Sequence, residues 1–363
     1  MEPEPLGTPR QASDTDWEAR GSAGPQAGWA AREEPCGQAC TDRNPARRII
    51  VHALQHAESE LSALREGLLR PQARIAPKFF YDTAGCALFA EICRLPEYYL
   101  TRTEDTIFKR HRQQIAACVP AQAQWVDLGC GDGAKSRQWM DASAARRFVG
   151  VDIAHDCLAG AVDAMERQFP LLECLGIVTD LALPLRLHPI LAERPAWPAV
   201  FFYPGSSLGN FAPAAAASLL RAIRGHLDGN GCLLIGIDLV KEAALLEAAY
   251  NDAQGVTAAF NRNILRVVNR LLGANFDPDG FEHCAHFAAA TGRIEMRLRA
   301  RAAQAVRIGR DIRHFAAGET ILTEYSHKYT VDGFLALLGA AGFSRLRLWT
   351  DEQSWFGVFL AQP

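Results

Sequence analysis

The sequence predicts an α/β protein in which a mostly parallel, doubly wound sheet carries a second, inserted domain. Three observations support this. Short apolar runs alternate with helical segments between residues 124 and 237, a glycine-rich loop follows the first of those runs, and two strand-like runs near the C-terminus resume the pattern after a long interruption.

Taken in order, residues 1–45 are rich in Pro, Gly, Ala, Gln and charge and poor in large aliphatic side chains. Such a segment cannot bury enough apolar surface to offset its chain entropy, so a disordered tail is expected. Arg48 to Leu69 reads as an amphipathic helix with Ile49, Ala53, Ala57, Leu61 and Leu64 on one face. Two aromatic stretches follow, Lys78-Phe79-Phe80-Tyr81-Asp82 and Leu95-Pro96-Glu97-Tyr98-Tyr99, and then a polar helix from Thr103.

Candidate strands are Trp125–Leu128, Phe148–Val151, Leu175–Val178, Ala199–Tyr203 and Cys232–Ile237. After Asp238 the rhythm turns helical through Leu272, with Tyr250 ending the segment Glu242–Tyr250. An antiparallel pair is expected at His283–Ala290 and Arg293–Ala302, turning at Thr291-Gly292. Arg345–Trp349 and Gly357–Leu360 return to the main sheet. The expected division is therefore 103–237 plus 329–363 for the sheet domain, and 46–102 plus 238–328 for the second domain.

Composition narrows the function. The chain of 363 residues is 49% hydrophobic and 22% charged, with a formal net charge of -3, and it has no long basic run to attract nucleic acid. Its ten cysteines are scattered without a Cys-x-x-Cys pair, as in proteins of reducing compartments. No apolar stretch is long enough to cross a bilayer, and the first residues lack a signal-peptide pattern. The expectation is a cytoplasmic enzyme acting on a small molecule.

The sharpest motif is Val126-Asp127-Leu128-Gly129-Cys130-Gly131-Asp132-Gly133, set between a strand and a helix. Gly129 and Gly131 let the backbone turn tightly against a ligand, and Asp152, ending the next strand, can accept hydrogen bonds from ribose hydroxyls. Acids at Asp127 and Asp132 suit a cationic sulfonium cofactor better than a diphosphate. The D-x-G-x-G form resembles motif I of the class I Rossmann-like methyltransferases. That resemblance implies S-adenosyl-L-methionine as cofactor, with Lys135 and Asp180 also at its site and Asp180 near adenine.

Further phrases are more specific. The two aromatic stretches, Gly209-Asn210, the run from Gly255 to Asn263, Arg293-Ile294-Glu295-Met296 and Leu322-Thr323-Glu324-Tyr325-Ser326 resemble the histidine-specific Nα-methyltransferase family of ergothioneine biosynthesis, from about residue 48 onward. The resemblance implies Nα-methylation of L-histidine to hercynine by an enzyme that works as a monomer. It gives Tyr98, Asn210 and Tyr250 to the amino-acid backbone, Tyr81 to the reacting nitrogen, Glu324 and Ser326 to the imidazole, and Met296 to its face. Tyr81, Tyr98 and Asn210 form the expected catalytic set. The cofactor loop departs from the family pattern, with Asp132-Gly133-Ala134 in place of a more hydroxylated sequence, which is expected to alter contacts in detail and not the cofactor.

The chemistry of the acceptor agrees with these roles. A dry pocket must satisfy a carboxylate, an amine and two ring nitrogens, and a buried carboxylate facing the ring N–H discriminates against analogues that lack it. Taken singly, each tyrosine is ordinary core material. Glu282-His283-Cys284-Ala285-His286 lacks a fourth ligand and reads as strand and turn with solvent-facing histidines, so no metal site is expected. His52 and His56 read as one solvated helix face, and Arg293, Arg297, Arg299 and Arg301 as a solvated strand face. Two other functions compete: the same chemistry on another aromatic amino acid such as tryptophan, whose neutral indole would use Glu324 poorly, and a catalytically silent binding scaffold, against which the cofactor loop and Asp152 argue.

Overall fold

A computed structural model describes residues 48–51 and 57–363. The expected tail 1–45 and the histidines at 52 and 56 lie outside the described residues. Thirteen strands are described: β1 Arg48–Val51, β2 Gln124–Leu128, β3 Arg147–Asp152, β4 Glu173–Val178, β5 Ala199–Tyr203, β6 Cys232–Asp238, β7 Phe281–Ala288, β8 Arg293–Ala300, β9 Gln304–Ile308, β10 Asp311–Phe315, β11 Thr320–His327, β12 Arg345–Thr350 and β13 Phe356–Gln362. The helices are α1 Ala57–Leu69, α2 Thr83–Ile92, α3 Tyr99–Ala116, α4 Ala134–Arg137, α5 Met140–Ser143, α6 His155–Gln168, α7 His188–Leu191, α8 Pro213–Gly225, α9 Ala243–Ala249, α10 Val256–Leu272 and α11 Val331–Ala340.

Eight strands form the main sheet in the order β1-β4-β3-β2-β5-β6-β13-β12. The first five pairings are parallel and the last two, β6-β13 and β13-β12, are antiparallel, so β13 alone runs against the other strands. The expected α/β class is borne out, as are the core strands to within two residues. Strands β2 and β5 are buried at every position because helices cover both faces. Successive residues feed opposite cores: Trp125, Phe148, Phe202 and Leu234 on one side, and Val126, Val149, Phe201 and Leu233 on the other. The order reverses between β2 and β5, which opens a crevice beyond their carboxyl ends, the usual ligand position in such sheets.

One expectation fails at the start. Ile49, Ile50 and Val51 belong to a strand that pairs in parallel with β4, not to a helix, and the described helix begins only at Ala57. The pattern that resembled a helical face was a β-branched run of strand-forming residues.

A separate antiparallel sheet, β11-β8-β7, lies with α9 and α10 in the segment after β6, and β9 and β10 form a hairpin that the sequence reading did not separate out. Helix α10 is the hub of this region. Phe260, Ile264, Leu265 and Val268 form its buried stripe, and the Phe260 ring stacks on Phe80 at 4.5 Å. The segment before α2 joins the same elements, since Ile75 N–H donates to the Leu322 carbonyl and Leu322 N–H to that of Ala73, each at 2.9 Å. Asp82 anchors the corner: it caps α2 through Gly85 N–H at 2.8 Å and accepts from Asn263 and Arg270 of α10. No helix among the described residues is long and apolar enough to cross a membrane.

Candidate active site

The crevice is built first by the loop after β2. Gly129, Gly131 and Gly133 take φ of 68°, 53° and 68°, the left-handed region that side chains resist. Nothing lies within 4 Å of where a Cβ at Gly129 or Gly131 would sit, so the loop borders open space. Asp152 ends β3 and organises both flanks, accepting from Gly131 N–H and Ala154 N–H at 2.8 Å each. Asp127 is buried, and its Oδ2 accepts from Ser136 Oγ at 2.6 Å while Oδ1 has no partner. Burial lifts its carboxyl to about 7, an environment that a nearby cation would relieve. Open glycines, the Asp152 carboxylate and an orphaned buried acid fit a sulfonium cofactor with an ammonium tail.

Two further carboxylates are fixed in place, one of them against the helix that follows this loop. Glu104 of α3, only 1% exposed, binds Lys135 Nζ at 2.5 Å and accepts Gly205 N–H at 2.7 Å. Burial works against the Lys135 charge, and Glu104 outweighs it, so the ammonium holds its proton more tightly than usual. Asp180, beyond β4, is held by Lys78 Nζ at 3.0 Å and by Ala182 N–H at 2.8 Å.

An aromatic wall stands beside the loop. Tyr81 meets Phe89 edge-on at 5.9 Å, Phe89 meets Tyr98 at 6.3 Å, and Tyr98 meets Tyr250 at 6.2 Å. Burial pushes the Tyr81 hydroxyl well above its ordinary pKa, with Glu324 and then Asp152 adding to the effect. The Tyr81 hydroxyl is therefore within electrostatic reach of both Glu324 and Asp152. Burial likewise raises Tyr98, with help from Tyr250, so both are neutral phenols.

Strand β11 supplies the polar floor. Its register on β8 slips at Thr323, where a β-bulge leaves Glu324 opposite Met296, and the Thr323 hydroxyl donates to the Met296 carbonyl at 3.0 Å. Glu324 is 8% exposed, and burial lifts its carboxyl to about 7 although Lys328 pulls it down. Ser326 Oγ lies 2.8 Å from Tyr250 Oη, and buried Lys328 donates to both, at 3.0 Å and 2.9 Å. His327 Nδ1 donates to the Gly209 carbonyl at 3.0 Å, which pins the 3-10 turn Ser207–Asn210 against β11. A Cβ on Gly209 would come within 2.7 Å of the His327 carbonyl, so only glycine permits that approach.

With this geometry in place, the sequence matches across residues 60–363 the family described as SAM-dependent, histidine-specific methyltransferases. The chain belongs to that family. It is 42% identical over 301 residues to the histidine N-alpha-methyltransferase of Mycobacterium tuberculosis, covering 81% of this chain and 92% of the relative. It is 41% identical over 311 residues to the Mycolicibacterium smegmatis protein of the same description, covering 84% and 95%. A fission-yeast protein, ergothioneine biosynthesis protein 1 of Schizosaccharomyces pombe, is 28% identical over 267 residues, 71% of this chain and 34% of the relative. S-adenosylmethionine-dependent methyl transfer is therefore the activity of this family member.

In this histidine-specific methyltransferase, Tyr81, Tyr98, Tyr250, Met296, Glu324 and Ser326 fall in one neighbourhood, while Gly129, Gly131, Lys135 and Asp152 border the crevice. Asn210 closes the turn beside them. Two readings are corrected. His283 is buried, not solvent-facing: its Nε2–H donates to the Tyr250 carbonyl and its Nδ1 accepts from Asn261, both at 2.8 Å. Arg293 and Arg297 are not a solvated face but clamp Glu295 from either side, at 2.8 Å and 2.5 Å. Among the described residues, no His, Cys, Asp and Glu cluster could hold a metal ion.

The sequence reading missed Glu104, Asp238 and Lys328. Asp238 closes β6 at the ligand edge of the sheet, a position that could have flagged it. Glu104 and Lys328 carried no signal, since a buried charge is recognisable only with its distant partners.

Proposed function

We propose that the protein transfers methyl groups to the α-amino nitrogen of L-histidine, three times in succession, giving Nα-trimethylhistidine (hercynine), the first step toward ergothioneine. The observation that carries this reading is Glu324, a buried carboxylate facing an aromatic wall with Met296 across the strand and Ser326 beside it. An imidazole N–H satisfies such a carboxylate, whereas a purely apolar ring leaves it unpaired.

When bound, S-adenosylmethionine supplies an electrophilic methyl group. Gly129, Gly131, Lys135, Asp152 and Asp180 are the residues that would hold it. Tyr98, Asn210 and Tyr250 grip the amino-acid backbone, so that positioning supplies much of the rate. Tyr81 lies beside the amine. As neutral phenols, Tyr81 and Tyr98 act as donors and relays for the departing proton and not as stored phenolates. A nitrogen gaining methyl groups loses its hydrogens and becomes a fixed cation, which aromatic faces stabilise. Residues 103–237 with 329–363, joined at the sheet edge by β1, serve the cofactor, and residues 57–102 with 238–328 the acceptor, so a single chain encloses both substrates.

The test is incubation with S-adenosylmethionine and, separately, histidine, tryptophan and tyrosine, followed by mass. Histidine alone should gain up to three methyl groups. Methylation of tryptophan instead would overturn the ring-pocket assignment, and no methylation of any would overturn the reading.

A further inference from the structure

Lys328 follows β11 directly and is fully buried, yet the roles given above leave it without work. Its ammonium has three hydrogens and three acceptors: Asp238 Oδ2 at 2.8 Å, Tyr250 Oη at 2.9 Å and Ser326 Oγ at 3.0 Å. Asp238 is fixed in turn. It accepts from Tyr99 Oη at 2.8 Å and from Lys241 Nζ at 2.6 Å, and its own N–H donates to Ser206 Oγ at 2.9 Å. Lys328 is thus bolted to the carboxyl end of β6 and has no hydrogen left for a ligand.

Counting hydrogens on the two hydroxyls gives the consequence. Tyr250 Oη and Ser326 Oγ each accept from the ammonium and lie 2.8 Å apart, so one donates to the other. Whichever way that bond runs, one hydroxyl hydrogen remains, and the ammonium occupies the side from which both oxygens are fed. The pair therefore meets a ligand as a donor.

We propose that Lys328 is a positioning residue for the acceptor amino acid, acting through Tyr250 and Ser326 to turn one hydroxyl donor toward an acceptor atom of the substrate. This rests on the histidine reading above and deepens it. Lys328 touches no substrate atom itself. Its removal would let the hydroxyls rotate and offer lone pairs where the substrate needs a hydrogen.

The test compares wild type with Lys328→Met, measuring calorimetric affinity for histidine and, separately, for S-adenosylmethionine, alongside steady-state kinetics. Histidine affinity should fall on the order of 10-fold to 100-fold, with KM rising in step, while cofactor affinity stays within about twofold. Unchanged histidine affinity in a folded variant would overturn the proposal, as would an equal loss for both ligands, the mark of a merely structural lysine. If Lys328→Met does not fold, Tyr250→Phe, Ser326→Ala and their double decide. Each single variant keeps one fed hydroxyl and should cost about threefold to tenfold, and the double should cost more than the product of the two. Additive losses would overturn the pairing. A wild type that binds no histidine would instead sink the functional reading itself.

Discussion

Replacing Glu324 by Gln separates stability from function. Burial lifts the Glu324 carboxyl from an ordinary 4.5 to about 7, with Lys328 opposing. A folded-state pKa above the unfolded one means that the native protein binds the proton more tightly. The contribution to stability is therefore fully present below about pH 4.5 and is lost as pH rises through about 7. A gap of about 2.5 pH units corresponds to roughly 3 kcal/mol, an upper bound since the native site can relax around the charge. Gln keeps the shape and carries no charge. Denaturant unfolding of the ligand-free protein should show the variant gaining on wild type between pH 5 and pH 8, by up to about 3 kcal/mol. The same variant should lose histidine turnover by about 10²-fold or more, because the ring N–H then meets a weaker, neutral acceptor. A stability difference that stays flat with pH would refute the assignment of a strained, buried carboxylate.

Two further substitutions probe the supports. A Cβ at Gly236 would lie 1.9 Å from Glu104 Oε1, the oxygen that accepts from Gly205 N–H, so Gly236→Ala must displace that carboxylate and disturb its hold on Lys135 through Oε2; stability should fall by about 1–3 kcal/mol and S-adenosylmethionine affinity about tenfold, read by denaturation and calorimetry. His283 holds the Tyr250 carbonyl through its neutral ring, so His283→Ala should lower kcat/KM for histidine about tenfold while cofactor affinity is unchanged, and an equal loss of both would count against that role.

The main sheet was legible because its physics is local. A parallel strand buried on both faces is a continuous apolar run, and β2 to β6 are such runs, bounded by glycine, proline or charge. β1 was not legible as a strand, since its partner β4 is over a hundred residues away and four residues satisfy helical and extended templates alike. The tyrosines, Met296 and Glu324 were found through the phrases around them, because nothing in a lone tyrosine distinguishes a ligand from core. The braces behind them, Glu104, Asp238, Lys328 and His283, depend on partners from other elements, and one of them was misread as solvent-facing. Charge burial is a property of the folded whole.

The bulge at Thr323 bears on how such a pocket can change. If β11 paired regularly, Thr323 would stand opposite Met296, and every later side chain would swap faces. Glu324 and Ser326 would leave the pocket, and Tyr325 and His327, now turned toward Arg293 and the Gly209 turn, would enter it. One shift of phase, without a single substitution in the strand, exchanges a lining of Glu324 and Ser326 for one of Thr323, Tyr325 and His327. In the proposed acceptor pocket, ring preference would thus depend on where the ladder skips a residue as well as on which residues the strand carries.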